Sequence, residues 1–212
     1  MCPFSAIDSV LLLFIPLPAM RSTIIRFLPL LVAVALCGCD SVTSKTIVGD
    51  KVPALDPKVW NGKWRNADGS AIATRIVDAK AGIIELKRFQ PWTKPTPGEL
   101  QADNIWVRTL GQEVIANELQ SGGVGYEFQR VAISADYIVT YSPDEKVFAG
   151  LIKRGEIAGK LERDKDGKPT GSCTIEGFSG RDYERLEREG FNVQSLFDED
   201  PAQVYIRGHG LW

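Results

Sequence analysis

A cysteine at the end of an apolar run is the residue whose chemistry the sequence specifies best. Cys39 closes the tetrapeptide Leu36–Cys39, which follows the apolar run Phe27–Leu36. Two arginines precede that run, so residues 20–38 have the basic, apolar and small-residue regions of a secretory signal peptide. A thiol is a strong nucleophile once it is deprotonated, so Cys39 is a candidate site of covalent modification.

The sequence Leu36-Cys37-Gly38-Cys39 resembles the lipobox of bacterial membrane lipoproteins. The resemblance implies that a signal peptidase cuts between Gly38 and Cys39. It implies further that the thiol of Cys39 takes a diacylglycerol group and that the new amine takes an acyl chain such as palmitate. Several chains, at about 0.8 kcal/mol for each buried CH₂, make a stable anchor. We therefore expect a protein of the bacterial cell envelope, anchored in a membrane and facing the periplasm.

The expected signal divides the chain into four segments. Residues 1–19 lack a basic start, so we predict a non-native extension there and translation from Met20. Residues 20–38 are the predicted signal peptide, because their uncharged run is shorter than the about 20 apolar residues of a membrane span. Residues 39–57 are predicted to be a lipidated tether, and residues 58–212 a single β-rich domain. Asp40 resembles an inner-membrane retention signal, and the outer membrane remains the alternative.

Composition excludes several function classes. The formal net charge of −2, without a basic stripe, argues against a nucleic-acid-binding protein. A single histidine, His209, argues against a zinc site of the usual His and Cys spacing, and we predict no cofactor and no metal. No G-x-S-x-G sequence supports a Ser-His-Asp triad, so we predict no enzyme. The acidic run Asp198–Asp200 is interpreted as a solvated turn, and Cys173 as a buried thiol without a disulfide partner.

Short runs rich in β-branched and aromatic residues, separated by turn signals, predict β-strands. The runs are Ala71–Val77, Gly82–Phe89, Ile105–Leu110, Glu113–Glu118, Gly125–Ser134, Tyr137–Tyr141, Val147–Lys153, Glu156–Glu162 and Ser172–Phe178. Connections this short favour an antiparallel meander, which must close into a barrel or fold into a sandwich to protect its edges. The loop Gln90–Asn104 breaks the regularity and is either a lid over one end or a surface excursion.

The C-terminal part has a different period. Ser179 and Asp182 have the spacing of a capping box, and Gly190 can end the helix that follows. A second helical turn is predicted within residues 191–197, and a last strand at Val204–Arg207. The predicted fold class is therefore mainly β, an antiparallel meander closing into an up-and-down, calycin-like barrel with a short C-terminal helix.

Two short sequences in the β-rich part resemble motifs of the lipocalins. Gly62-Lys63-Trp64, after a short helical turn, resembles their G-x-W motif, and Ala135-Asp136-Tyr137 resembles their T-D-Y motif without its threonine. The resemblance implies that Trp64 seals one end of an eight-stranded barrel and that Gly62 permits close packing there. It also implies a basic side chain over the indole, and Arg154 stands near the expected position.

Three functions follow as hypotheses. The first is a binding module in which the barrel holds a small apolar ligand or lipid, with Trp92, Trp106 and Trp60 as lining candidates. The second is an envelope protein that docks on a protein partner and takes no small molecule. The third, an enzyme, has the least support in the sequence.

Overall fold

The computed structural model describes residues 41–89 and 102–208, which contain eleven strands, three α-helices and one 3₁₀ turn. The strands are β1 (Val42–Ser44), β2 (Gly62–Asn66), β3 (Ala71–Asp78), β4 (Ile83–Phe89), β5 (Ala102–Leu110), β6 (Glu113–Leu119), β7 (Tyr126–Ile133), β8 (Tyr137–Tyr141), β9 (Gly159–Arg163), β10 (Pro169–Ile175) and β11 (Gln203–Arg207). The helices are α1 (Pro57–Trp60), α2 (Glu145–Lys153) and α3 (Gly180–Arg188), and the 3₁₀ turn is Val193–Leu196.

Eight of the strands close into an antiparallel barrel. Strands β2 to β8 form a meander in which each pairs with the next, and β11 pairs with both β8 and β2 to complete the ring. Closure leaves the ring without a free edge, which an open meander of this length would expose. The predicted fold class, a mainly β chain with an up-and-down, calycin-like barrel, is confirmed.

The strand register separates an inner face from an outer face. Trp64 lies opposite Ile72, and Ile72 lies opposite Arg88, so these three side chains share the inner face. Ile84 opposite Ile105, and Ile105 opposite Glu118, continue that face around the ring. Because side chains alternate along a strand, the other inner-face positions follow from this register, except beyond Ile76, where the register of β3 shifts by one residue.

The barrel has two different ends. Helix α1 packs beside the beginning of β2, and we call this the α1 end. At the opposite end, which we call the far end, lie the β2–β3 turn, the last residue of β4, the first residue of β5 and the β6–β7 turn. The space that the inner face encloses is called the lumen below.

An excursion between β8 and β11 covers part of the outer wall. It contains α2, β9, β10, α3 and the 3₁₀ turn, and it forms an apolar core with the outer faces of β6 and β7. Phe128 of β7, for example, packs edge-to-face against Phe148 of α2 with ring centroids 5.7 Å apart. The outer wall in this region is therefore buried rather than solvated.

The prediction of a strand at Val147–Lys153 is wrong, because that segment is helix α2. Asp144 caps the helix by accepting hydrogen bonds from the backbone N–H groups of Lys146 and Val147. Phe148 and Leu151, three residues apart, are the buried side chains of its apolar face. The β-branched residues that suggested a strand pack against the outer-wall core through this helical spacing instead.

The predicted C-terminal elements are present. Ser179 caps α3, the reciprocal hydrogen bonds with Asp182 form a capping box, and Gly190 has the positive φ of 91° that follows a helix end. The 3₁₀ turn and β11 lie where the second helical turn and the last strand were predicted. The strands predicted at Glu156–Glu162 and Ser172–Phe178 are shifted, and correspond to β9 and β10.

The segment predicted as a tether belongs to the domain from Val42 onward. Strand β1 pairs in parallel with β10 and antiparallel with β7, and Val42 and Val48 are buried. Asn117 accepts a hydrogen bond from the backbone N–H of Val48 at 2.7 Å and donates one to its carbonyl at 3.1 Å. The prediction of a tether over residues 39–57 is therefore wrong for its larger part, because backbone pairing outweighs the polar composition. The described residues, 41–89 and 102–208, belong to one compact unit, and the apolar cores that they form lie within it.

In the parts of the chain that the structure describes, no helix combines the length and the apolar character that crossing a bilayer would require.

Candidate functional site

Trp64 and Arg207 close the barrel at the α1 end. The Trp64 side chain is fully buried, and the guanidinium carbon of Arg207 lies 4.1 Å from the centroid of its ring. Arg207 also donates hydrogen bonds of 3.0 to 3.1 Å to the carbonyls of Lys58, Val59 and Asn61. A cation at the carboxyl end of α1 satisfies carbonyls that the short helix leaves unpaired, so Arg207 joins α1 to the barrel.

Gly62 is required by this close approach. A Cβ atom at Gly62 would stand 2.7 Å from a terminal nitrogen of Arg207 and 3.2 Å from the Trp64 ring. Any larger residue would displace the guanidinium from the indole. The structure thus places Gly62 and Trp64 together at the end of the barrel beside α1.

Arg154 does not take part, contrary to the prediction. It is the C-cap of α2 and pairs with Glu156. The resemblance implied a late basic residue near Arg154, just after the predicted strand Val147–Lys153, but the strand that closes the barrel is β11, which lies beyond the whole excursion. The sequence signal for the correct residue was present, since Arg207 is the basic residue of the predicted last strand Val204–Arg207.

A buried hydrogen-bond chain fixes the indole of Trp64. Its Nε1–H donates to the hydroxyl of Thr74 at 3.0 Å, and that hydroxyl donates to the carbonyl of Trp60 at 2.5 Å. Thr74 is buried, and its hydroxyl both accepts and donates a hydrogen bond. The indole N–H, this hydroxyl and the Trp60 carbonyl at the α1 end of the lumen therefore all have partners. Trp60, one of the predicted lining residues, is buried at this end and packs among Leu55 and its neighbours.

Between the α1 end and the far end, apolar side chains line the lumen. Ile72, Ile84, Ile105, Val107, Val131 and Ile138 are buried there. Four further apolar side chains pack against these buried residues and are only half-buried. They are Leu86, Val114, Ala116 and Ile133. The inner face of a tightly filled barrel would leave such residues without accessible surface, whereas these four keep some.

Charged side chains face the lumen at the far end. Arg88 of β4 forms ion pairs with Asp103 of β5 and Glu118 of β6, and all three lie on the inner face. The Arg88 side chain is 48% exposed and the two carboxylates are 25% and 31% exposed, so the group stands at an opening. Burial lowers the pKa of Arg88, but Glu118 and then Asp103 raise it overall, so the guanidinium stays charged.

Tyr205 and Thr140 add two hydroxyl groups to the lumen. Tyr205 of β11 lies on the inner face opposite Ile138, near enough to Arg88 for each group to affect the pKa of the other, although their strands do not pair. Burial raises the pKa of Tyr205, which keeps its hydroxyl a donor at neutral pH. Thr140 lies opposite Val131 and Gln203 on the inner face, and its buried Oγ1 has no hydrogen-bond partner among the described residues.

Trp106 is on the outer wall, so its prediction as a lining residue is wrong. It pairs with Asn117, whose side chain holds the segment around Val48 on the outside of the barrel. Its ring packs edge-to-face against Tyr126, with centroids 5.7 Å apart. Neighbouring residues of a strand face opposite sides of the sheet, so the register of β5 places the Trp106 side chain outside the barrel.

The remaining predicted residues lie outside the part that the structure describes. They are the cleavage-site residues Gly38 and Cys39, the lining candidate Trp92 and the single histidine His209.

A polar groove of about 650 Å³ lies on the outside, between α3 and the β5–β6 turn. Asp50, Glu113, Glu184 and Glu187 contribute acidic side chains to its wall. None of the predicted site residues lines it. Within the described residues, no group of three or more His, Cys, Asp or Glu side chains has a geometry that could hold a metal ion.

Cys173 is buried in β10 and is free, as predicted. Burial, with smaller contributions from Glu145 and Glu162, raises the pKa of its thiol to about 11. We expect iodoacetamide to modify it roughly 100-fold more slowly in the native domain than in urea, because the thiolate is the reacting form. Mass spectrometry of timed samples of residues 40–212 measures both rates, and equal rates would contradict the buried placement.

No family model, curated protein or solved structure matches this chain significantly.

Proposed function

We propose that the chain is a lipid-anchored lipoprotein of the bacterial envelope whose barrel binds a small apolar or amphiphilic ligand through its far end. The observation that carries the binding function is the set of half-buried apolar residues inside the lumen, Leu86, Val114, Ala116 and Ile133. Protein interiors are normally packed to crystal density, so accessible apolar surface inside a barrel favours an occupant.

The asymmetry of the two ends supports entry at the far end. At the α1 end, Trp64 is fully buried beneath Arg207, and the helix lies over both. At the far end, the inward side chains Arg88, Asp103 and Glu118 are polar and partly exposed. A ligand entering here would pass the polar side chains and leave its apolar part against the half-buried residues below.

A protein partner is the second candidate function, and one surface favours it. Tyr137, Val204 and Ile206 are exposed apolar side chains that lie together on the outer faces of β8 and β11. Exposed apolar patches often mark interaction surfaces. In this alternative the barrel is a rigid support for an envelope interaction, and the lumen takes no ligand.

The binding proposal is tested with residues 40–212, the compact unit that contains all described cores. We expect the neutral dye Nile red to bind with a stoichiometry of one and with increased, blue-shifted fluorescence, because it would enter an apolar site. We also expect native mass spectrometry of gently purified protein to show an additional bound mass. Failure of both the dye and a panel of lipids to bind would contradict the proposal and favour the docking alternative.

The anchor proposal is tested at the two neighbouring cysteines of the lipobox. Cys39→Ala removes the nucleophile, so we expect no incorporation of labelled palmitate and accumulation of the uncleaved precursor in the producing bacterium. Cys37→Ala is the matched control and should be lipidated and cleaved normally, because alanine is also small. Lipidated protein from the Cys39→Ala chain, detected by labelling and by mass, would contradict the assignment.

A further inference from the structure

The described inner-face side chains at the far end of the lumen carry more negative than positive charge. Arg88 and Arg207 are the basic side chains on the inner face among the described barrel positions. Arg207 lies at the α1 end, where it contacts the Trp64 ring and donates hydrogen bonds to four backbone carbonyls. Among the described inner-face positions at the far end, Arg88 therefore faces Asp103 and Glu118 without a second cation, and the exposed Glu127 lies opposite Glu118 on the same face.

Both terminal nitrogens of the Arg88 guanidinium already have hydrogen-bond acceptors. One terminal nitrogen donates to Asp103 and the other donates to Glu118. A ligand carboxylate would have to displace one of these groups to reach the guanidinium, and it would meet the remaining carboxylates. Like charges brought together in this way oppose binding, and they discriminate between partners.

The two carboxylates keep capacity to accept hydrogen bonds. Asp103 uses Oδ2 toward Arg88 and Glu118 uses Oε2, whereas a carboxylate offers about four lone-pair positions. A ligand group that donates hydrogen bonds, above all a cationic one, would therefore complete the site without breaking the existing pairs.

Thr140 gives a second and independent indication of a polar ligand group. Its Oγ1 is buried, lies on the inner face of β8 and makes no hydrogen bond within the described residues. Leaving a buried hydroxyl unpaired costs on the order of 1–3 kcal/mol, so native proteins seldom do it without a reason. Tyr205, opposite Ile138 on neighbouring β11, supplies a further hydroxyl on the same face.

We propose that the lumen selects single-chain amphiphiles whose polar group is a cation or hydrogen-bond donor, and that it discriminates against fatty-acid carboxylates. This inference rests on the proposed ligand-binding function and specifies its ligand class. The apolar chain lies against Leu86, Val114 and Ala116, and the polar group lies at Asp103 and Glu118. The hydroxyl of Thr140 supplies an additional hydrogen bond on the opposite wall.

The test compares three ligands of equal chain length, dodecylamine, dodecanol and dodecanoate, as competitors of Nile red at pH 7. Concentrations are kept below those at which the amphiphiles aggregate. The amine is expected to bind at least about tenfold more tightly than the acid, a difference of about 1.4 kcal/mol, with the alcohol between them. Equal or tighter binding of dodecanoate by the wild-type protein would overturn the inference while leaving the binding function intact. Failure of all three ligands and the dye to bind would overturn the proposed function as well.

Variants assign the selectivity to the far end. The double variant Asp103→Asn with Glu118→Gln keeps the side-chain shapes and frees Arg88, so the preference for amine over acid should shrink or reverse. Glu85→Gln is the matched control, because Glu85 is an outer-face carboxylate on β4 that pairs with Arg75 and Lys87. An unchanged preference in the double variant, or an equal loss in the control, would show adsorption of the amine to the acidic surface and contradict the inference.

Thr140→Val tests the hydroxyl separately. Valine has nearly the same shape, so the ligand-free variant should be at least as stable as the wild type because no bond is lost. Binding of dodecanol should nevertheless weaken about tenfold, in line with the loss of one buried hydrogen bond. Unchanged binding of dodecanol would remove Thr140 from the site.

Discussion

Replacing Trp64 by alanine is expected to lower the free energy of unfolding of residues 40–212 by about 4 kcal/mol. The side chain is fully buried, and its indole N–H bond to Thr74 and its contact with Arg207 are both lost. The fall should appear in urea denaturation as a lower midpoint with little change in slope. Trp106→Ala is the matched control, since it removes the same side chain from a half-buried position on the outer wall.

The contribution of Arg207 can be separated from that of the indole. We expect Arg207→Ala to cost about 2 kcal/mol, because three carbonyls beside α1 lose a charged donor. A double-mutant cycle of Trp64→Ala and Arg207→Ala should give a coupling energy of about 1 kcal/mol for the cation–π contact. Additive losses, or equal losses for Trp64→Ala and Trp106→Ala, would contradict the role of this pair in closing the barrel.

Local patterns in the sequence predict the barrel well. Alternating β-branched residues between short turns identify β3 to β8, and short connections favour the meander that the structure has. The capping box at Ser179 and the last strand at Val204 are also local signals, because caps and short strands depend on neighbouring residues.

Predictions that depended on distant contacts were wrong. Residues 147–153 contain the β-branched and aromatic residues that suggested a strand, but the Asp144 cap and the outer-wall core make them helical. The polar segment after residue 41 has no strong β pattern, and its strand β1 exists only because β7 and β10 offer unpaired backbone groups. Propensity is a weak guide wherever tertiary pairing supplies the hydrogen bonds.

The sequence did not reveal the group at the far end of the lumen. Arg88, Asp103 and Glu118 are charged residues within or beside predicted strands, and such residues usually face solvent. Their common position depends on the register of three pairings, and a change of one residue would place them outside. The register of β5 and β6 likewise places Trp106 on the outer wall, although we predicted that it lines the lumen.

Filling the lumen is expected to abolish ligand binding without unfolding the barrel. Ala116 lies on the inner face of β6, packs against the buried apolar residues of the lumen and is half-buried. A larger side chain at this position would therefore occupy the space proposed for the ligand. Insertion into a tightly packed core would cost about 1–3 kcal/mol, whereas insertion into free space should cost less. Ala73→Trp is the matched control, because Ala73 lies on the outer face of β3 between Lys63 and Lys87.

The binding of Nile red to wild type, Ala116→Trp and Ala73→Trp is therefore the most direct test of a ligand-binding lumen. Circular dichroism and urea denaturation verify that each chain is folded, and the smaller Ala116→Leu change provides a second inner variant. We expect wild-type affinity for Ala73→Trp, a partial loss for Ala116→Leu, and a loss of at least about tenfold for Ala116→Trp. Undiminished dye binding by folded Ala116→Trp, or an equal loss in Ala73→Trp, would contradict a ligand-binding lumen.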